Sequence, residues 1–261
     1  MRNFKIQLMF ASMLEFMESV VPLAPLRKSA DHRSALYSQL LMGDLIQALG
    51  DAEGDWLPVQ VLGDAQRVYV LRSQVLPTSR HRNQEQVIFS GSACLKTNEK
   101  SVVLSAGTRF EITEKGQVLI GSVSGELTHH SEINPSDAIF QFLGSPYQWG
   151  GLSIFGIDCS GLSTMYYRFQ GIQLPHLASA QIQYGQPLDF LSMAQMGDLA
   201  FFENSLGEIH HVGIMLNDRE ILHASESNGC VRIDYIDQEG IIQKIGGGRT
   251  HRLRLVKRLG I

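Results

Sequence analysis

Cys159, His211 and His223 are the residues of this 261-residue chain whose types and spacing could perform nucleophilic catalysis. Cys159 lies in GIDCSGLSTMYYRFQG, where Leu162, Met165, Tyr166 and Phe169 follow the spacing of a buried helical face and Gly171 ends the helix. The start of a helix presents unpaired N–H groups and about half a positive charge, which favours thiolate over thiol. A thiol brought down from its free pKa of about 8.5 becomes a nucleophile at neutral pH. A small buried hydrophobe at a helix start is the competing reading.

His211 opens the strand-like HVGIML, and His223 follows twelve positions later in ILHAS. A turn centred near Asn217 would set the two across from each other on adjacent antiparallel strands, with Cβ atoms about 5 Å apart. One imidazole then takes the thiol proton while the other fixes its tautomer, the role a carboxylate plays in a serine-protease triad. The same three residues could instead ligate zinc and leave one position open. The chain offers no CxxC, no HExxH and no carboxylate fourth partner, so no metal is expected. Thiolate and imidazole suffice for acyl transfer, so no cofactor is expected either.

The elements that must position these side chains differ in texture along the chain. Residues 36–75 read as short strands with turns: LLMGDLIQAL, WLPVQVL starting at Trp56, and RVYVLRSQV. The pattern recurs over residues 86–127 in QVIFSGSACL, SVVLSAGTRFEI and QVLIGSVSGEL, so two small β-barrels in tandem are predicted. From Asn134-Pro135 onward a helix over Asp137–Leu143 capped by Ser136, the Cys159 helix, and the strands DLAFF, HVGIML and EILHAS describe an α+β unit. THRLRLVKRLG at the C-terminal end reads as an edge or closing strand with its charges outward. His129-His130 reads as a solvated surface pair, and Cys94 and Cys230 as inert core or strand residues.

Composition narrows the function. Apolar content of 44% with 18% charged residues describes a globular protein, and a net charge of −4 argues against nucleic acid as a partner. Three cysteines are too few and too odd for a disulfide framework, which favours a reducing compartment or a thiol kept free for chemistry. The N-terminal MRNFKIQLMFASMLEFMES imitates a leader, but Gln7, Glu15 and Glu18 break the apolar run, so a cytoplasmic location is expected over secretion. No stretch approaches the roughly 18 apolar residues of a membrane span.

Taken together, PYQWGG, GIDCSGL, LP…Q, GDLAFF, HHVGIM and ILHAS resemble the NlpC-type cell-wall cysteine peptidases over about residues 138–257. PLRKSADHRSALYSQLLMGD followed by WLPVQV resembles the bacterial SH3-like domains that precede this peptidase in one subgroup. The resemblance implies an α+β, papain-like catalytic domain (a helix packed on an antiparallel sheet) over 131–261. It would be preceded by SH3-like barrels over 19–80 and 81–130, with 1–18 unassigned. It further implies Cys159 as nucleophile, His211 as base, His223 as the third polar residue and Tyr147 as a hydroxyl facing the nucleophile. Asp158, Ser160 and Ser179 would bind substrate, with Asp158 also a helix cap on physical grounds. The implied partners are murein stem peptides with a free N-terminal L-Ala. Their γ-D-Glu–diamino acid bond would be hydrolysed to release L-Ala-γ-D-Glu. A non-catalytic wall-binding protein and an acyltransferase or amidase on the same fold are the rival readings. The sequence departs from the family pattern at His176-Leu177, where Arg and an acidic or hydroxyl residue are usual. Val70-Leu71 stands in place of Gly-Trp, Gly43-Asp44 in place of Gly-Glu, and His210 in place of threonine.

Overall fold

The computed structural model describes residues 16–61, 63–79, 85–130 and 133–260, so most of the stretch weighed as a leader lies outside the described residues. Alternating apolar side chains build a first antiparallel sheet from β1 (Phe16–Ser19), β2 (Leu23–Arg27), β3 (Leu36–Leu41), β4 (Leu45–Ala48), β5 (Trp56–Val61), β6 (Arg67–Leu71) and β7 (Val75–Pro77). Its order is β3-β2-β6-β5-β4-β1-β7, around a core that includes Leu26, Ile46, Val59 and Val70. β1 begins at Phe16, inside the stretch that the sequence left unassigned.

A second sheet follows from β8 (Gln86–Val87), β9 (Ser92–Lys96), β10 (Ser101–Ser105), β11 (Arg109–Ile112), β12 (Val118–Ile120) and β13 (Val123–Thr128), in the order β10-β9-β13-β12-β11-β8. Ile88, Leu95, Leu104, Phe110 and Ile120 fill it. Among the described residues neither ladder closes on itself by hydrogen bonds, which is looser than the closed barrels the strand spacing suggested. His129 is exposed, whereas His130 tucks edge-on against Phe110 at 5.8 Å and is not a purely solvated residue.

The third unit begins with a 3₁₀ turn at Ala138–Phe142 instead of the expected α-helix. Asn134 starts it, accepting from Ser136 N at 2.9 Å through its side chain and from Ala138 N at 3.0 Å through its carbonyl. The Ser136 hydroxyl points elsewhere, accepting from Gln170 Nε2 at 3.5 Å. There follow β14 (Leu152–Ser153), β15 (Gly156–Ile157), α1 (Cys159–Phe169), α2 (Ala178–Gln181) and β16 (Gln186–Pro187). The remaining strands are β17 (Leu199–Glu203), β18 (Ile209–Met215), β19 (Glu220–Ser225), β20 (Cys230–Asp237), β21 (Gly240–Ile242) and β22 (Arg249–Arg258). β22 pairs with both β17 and β21, so β22-β17-β18-β19-β20-β21 closes on itself. The basic C-terminal segment is therefore a closing strand, with β16 outside it. Sheet dominates the described residues and helices are few.

α1 packs against β18 and β19, and every one of its residues is buried, including Arg168 in the last turn. A buried guanidinium requires partners. Nε donates to Gly107 O at 2.6 Å, and Nη1 donates to Asp44 Oδ2 at 3.1 Å, with Nη2 on Oδ1. One side chain thus joins the helix that starts at Cys159 to the first sheet and to the turn after β10. A second tie is Leu152 N donating to Gln39 Oε1 at 2.8 Å.

Removing one partner of a buried pair leaves the other charge uncompensated. Arg168→Ala is expected to cost about 3–5 kcal/mol of stability, read as a lower urea midpoint. Asp44→Ala combined with Arg168→Met should recover part of that loss. A single variant within experimental error of the parent would refute the role given to this pair.

Candidate active site

Cys159 is the first residue of α1, and Asp158 caps it from an extended conformation. The Asp158 carboxylate accepts from Gly161 N at 2.6 Å and from Ser160 Oγ at 3.1 Å on one oxygen, and from Gly150 N at 2.7 Å on the other. One buried carboxylate therefore fastens the helix start to the Trp149-Gly150-Gly151 loop. Burial raises its pKa, while these donors pull in the opposite direction. Gly161 is required by the closeness of the two segments, since a Cβ there would lie 2.3 Å from Gly151 O.

His211 and His223 meet, but not across the register the sequence suggested. Ile214 opposes Leu222 and Met215 opposes Ile221, so the position facing His223 is Gly213, and His211 is its diagonal neighbour. An offset of two keeps both histidines on one face of the pleat. Gly213 provides the room, because a Cβ there would come within 3.2 Å of His223 Cβ and 2.6 Å of the Ile221 side chain. His211 Nε2 and His223 Nδ1 are 3.0 Å apart, and His223 Nε2 lies 3.1 Å from Asp234 Oδ2. Asp234 is buried and also accepts from Arg232 Nη2 at 2.8 Å and Lys244 N at 2.9 Å.

The protons along this line follow from its carboxylate end. Hydrogen bonds from His223 and Lys244 N, with the charges of His223 and Arg232, outweigh burial and hold Asp234 below the usual carboxylate range. Asp234 can then only accept, so His223 Nε2 carries a proton. In the tautomer in which His223 Nδ1 accepts from His211 Nε2–H, His211 Nδ1 is left unprotonated and free to take a proton.

Burial acts on the reacting pair from both sides. It pushes the Cys159 thiol up to about 12, with the Asp158 charge adding to it and the N–H groups of Val212, Ser160 and Cys159 opposing it. The same desolvation, then the neighbouring His251, His223 and His210, lowers His211 well below 6.5. At this depth burial outweighs the helix-start field and disfavours the charged form of both the thiol and the imidazole.

Cys159, His211, Tyr147, Asp158, Ser160 and Ser179 line one cleft, so the structure brings all of these candidates together, with His223 one layer behind. Tyr147 is raised by burial and by the charges of Cys159, Asp158 and Glu226, and remains a hydroxyl donor. Ser179 is exposed on α2. His176 turns behind the cleft wall: its Nδ1 meets Ser38 Oγ at 2.8 Å and its ring lies edge-on to Tyr37, which lines the cleft with Lys28. Cys94 in β9 and Cys230 at the start of β20 are not among the cleft residues. Asp234, Gly213, Tyr37 and His251 were missed by sequence reasoning. Asp234 alone carried a signal, as an acidic residue flanked by the apolar Ile233, Tyr235 and Ile236.

The NlpC/P60 family profile matches residues 144–249. Two proteins named gamma-D-glutamyl-L-lysine dipeptidyl-peptidase are similar to this chain. The one from Bacillus cereus is 35% identical over 112 residues, and the one from Bacillus subtilis is 40% identical over 96. These alignments cover 42% and 35% of this chain but only 33% and 31% of those relatives, about a third of their length. A probable endopeptidase NlpC from Escherichia coli is 37% identical over 100 residues, covering 37% of this chain and 64% of its own. The crystal structure of an NlpC/P60 family protein from Bacillus cereus ATCC 10987 shares the fold over 93% of this chain and 99% of its own, with a TM-score of 0.75 at 22% identity. Residues 144–249 of this chain form an NlpC/P60 family domain.

Proposed function

We propose that this chain is a cysteine peptidase that hydrolyses the γ-D-Glu–diamino acid bond of murein peptides bearing a free N-terminal L-Ala, releasing L-Ala-γ-D-Glu. The observation that carries this reading is the line of hydrogen bonds from His211 through His223 to Asp234, ending in the cleft that holds Cys159. The names of the two dipeptidyl-peptidase relatives support the substrate class. The two N-terminal sheets are read as SH3-like units over 19–80 and 81–130, with the peptidase unit from 131 onward.

In this mechanism His211 Nδ1 takes the thiol proton as sulfur attacks the γ-carbonyl carbon. Formation of the imidazolium strengthens the His211–His223 bond, and the Asp234 charge lies one ring further on. The carbonyl oxygen gains negative charge where the Tyr147 hydroxyl can donate to it. The C–N bond then breaks, and His211 returns its proton to the departing amine. Water gives a proton to His211 and its oxygen to the thioester, the C–S bond breaks, and the thiol is restored. Asp158, with the hydroxyls of Ser160 and Ser179, would meet the substrate ammonium, a charge that needs replacement acceptors once it leaves water.

Cys159→Ala is expected to abolish peptide cleavage with the fold retained, while Cys94→Ala and Cys230→Ala keep it, measured by release of the diamino acid. Turnover by the Cys159 variant beyond a trace would contradict the mechanism.

The pH dependence carries a sign. A base whose folded pKa is depressed remains free as pH falls through 6.5, and loses function only as pH passes the depressed value. The acid limb of kcat/KM should therefore lie below pH 6.5. A half-maximal point at or above that pH would mean that His211 is not the titrating base.

A further inference from the structure

His251, on β22, presents its ring face-on to the base. The His211 and His251 centroids are 4.0 Å apart with 26° between planes. Phe202 approaches His211 at 5.6 Å and His223 meets it edge-on at 5.2 Å, so aromatic rings surround the imidazole. His251 is itself held: Nδ1 lies 2.8 Å from Thr250 Oγ1, Phe202 meets it edge-on at 5.9 Å, and His210 stacks on it at 5.7 Å. Its ring also lines the cleft.

General base catalysis here requires Nδ1 of His211 to stay toward the sulfur while Nε2 stays on His223. One hydrogen bond leaves a ring free to swing about its side-chain torsions. A stacked neighbour removes that freedom without occupying either nitrogen. A neutral aromatic face also tolerates the positive charge that His211 acquires in the reaction. We propose that His251 is a positioning residue for the base, holding His211 in its proton-accepting orientation by stacking.

The inference rests on the peptidase reading, because it assigns His251 to the same proton transfer. The groups facing His251 are His210 and His211 from β18, His223 from β19 and Asp234 from β20, with Cys159 and Glu226 across the cleft. Burial, then His223 and His210, lowers His251 to about 4, with Asp234 opposing, so its ring is neutral at pH 7. As pH falls through that value His251 gains charge beside His211 and opposes a second positive charge there.

The test reads the thiol–imidazole pair without any peptide. In a Cys94→Ala, Cys230→Ala background Cys159 is the remaining cysteine of the three, and its alkylation by iodoacetamide is followed against pH. His251→Ala is expected to slow alkylation at pH 7 by about tenfold to a hundredfold, the scale of a misplaced catalytic group. His251→Phe, which keeps an aromatic face, should recover most of the rate. With the titrating neighbour gone, its acid limb should move to higher pH. Thermal unfolding identifies any variant that fails to fold, and if His251→Ala does so, the limb of His251→Phe decides. Parent-like alkylation by folded His251→Ala, or an unmoved limb in His251→Phe, would overturn the proposal. Failure of the parent to cleave peptide, with these alkylation effects present, would strike the substrate reading and leave His251 its role.

Discussion

The buried pairing of Arg168 with Asp44 is the constraint on which the cleft depends. α1 carries the thiol at its first residue and this guanidinium in its last turn. Through Arg168 the helix is tied to the first sheet and, through Gly107 O, to the second. The cleft has walls from two units: Tyr37 and Lys28 come from the first sheet region, and Tyr147, Cys159 and His211 from the third. Arg168 shares this docking with Leu152 N on Gln39 and with a common core in which Leu41 and Ala106 pack with residues of α1. His176 serves the same docking from the opposite direction, bonding Ser38 and backing the Tyr37 ring.

Desolvation then explains the chemistry at the cleft floor. Taking the Cys159 thiol and the His211 imidazole out of water disfavours the charged form of both. In the proposed reaction charge has to appear on this pair, and Asp234 is the group placed to stabilise it. Asp234 is the fixed negative end of the line, itself compensated by Arg232 and by the amide of Lys244. Directing one carboxylate through two imidazoles orients both rings, and it keeps that carboxylate away from the sulfur, where it would oppose thiolate formation.

Much of this was readable in the residues, and the failures have physical causes. Cys159, His211 and His223 stood out because a nucleophile at a helix start and histidines in neighbouring strands are local patterns. The register was off by two because the turn is built by Asn217, whose Oδ1 accepts from both Arg219 N and Glu220 N and moves its centre one position on. Asp234 was missed because its partner lies on another strand, set by a second diagonal pairing in which Arg232 faces His223. The basic and apolar alternation of β22 suggested charges pointing outward, yet closure of the sheet turns His251 onto His211. β1 and β2 are short, and β2 carries Pro25, so no strand pattern marked them.

The most direct measurement is mass spectrometry of the products formed from L-Ala-γ-D-Glu-diaminopimelate and from its N-acetylated form under identical conditions. L-Ala-γ-D-Glu and free diaminopimelate are expected from the first. The second should be cleaved at least about a hundredfold more slowly, the scale of losing a buried charge pair of about 3 kcal/mol. Equal cleavage of the two peptides, or a free peptide left intact, would contradict the proposed function.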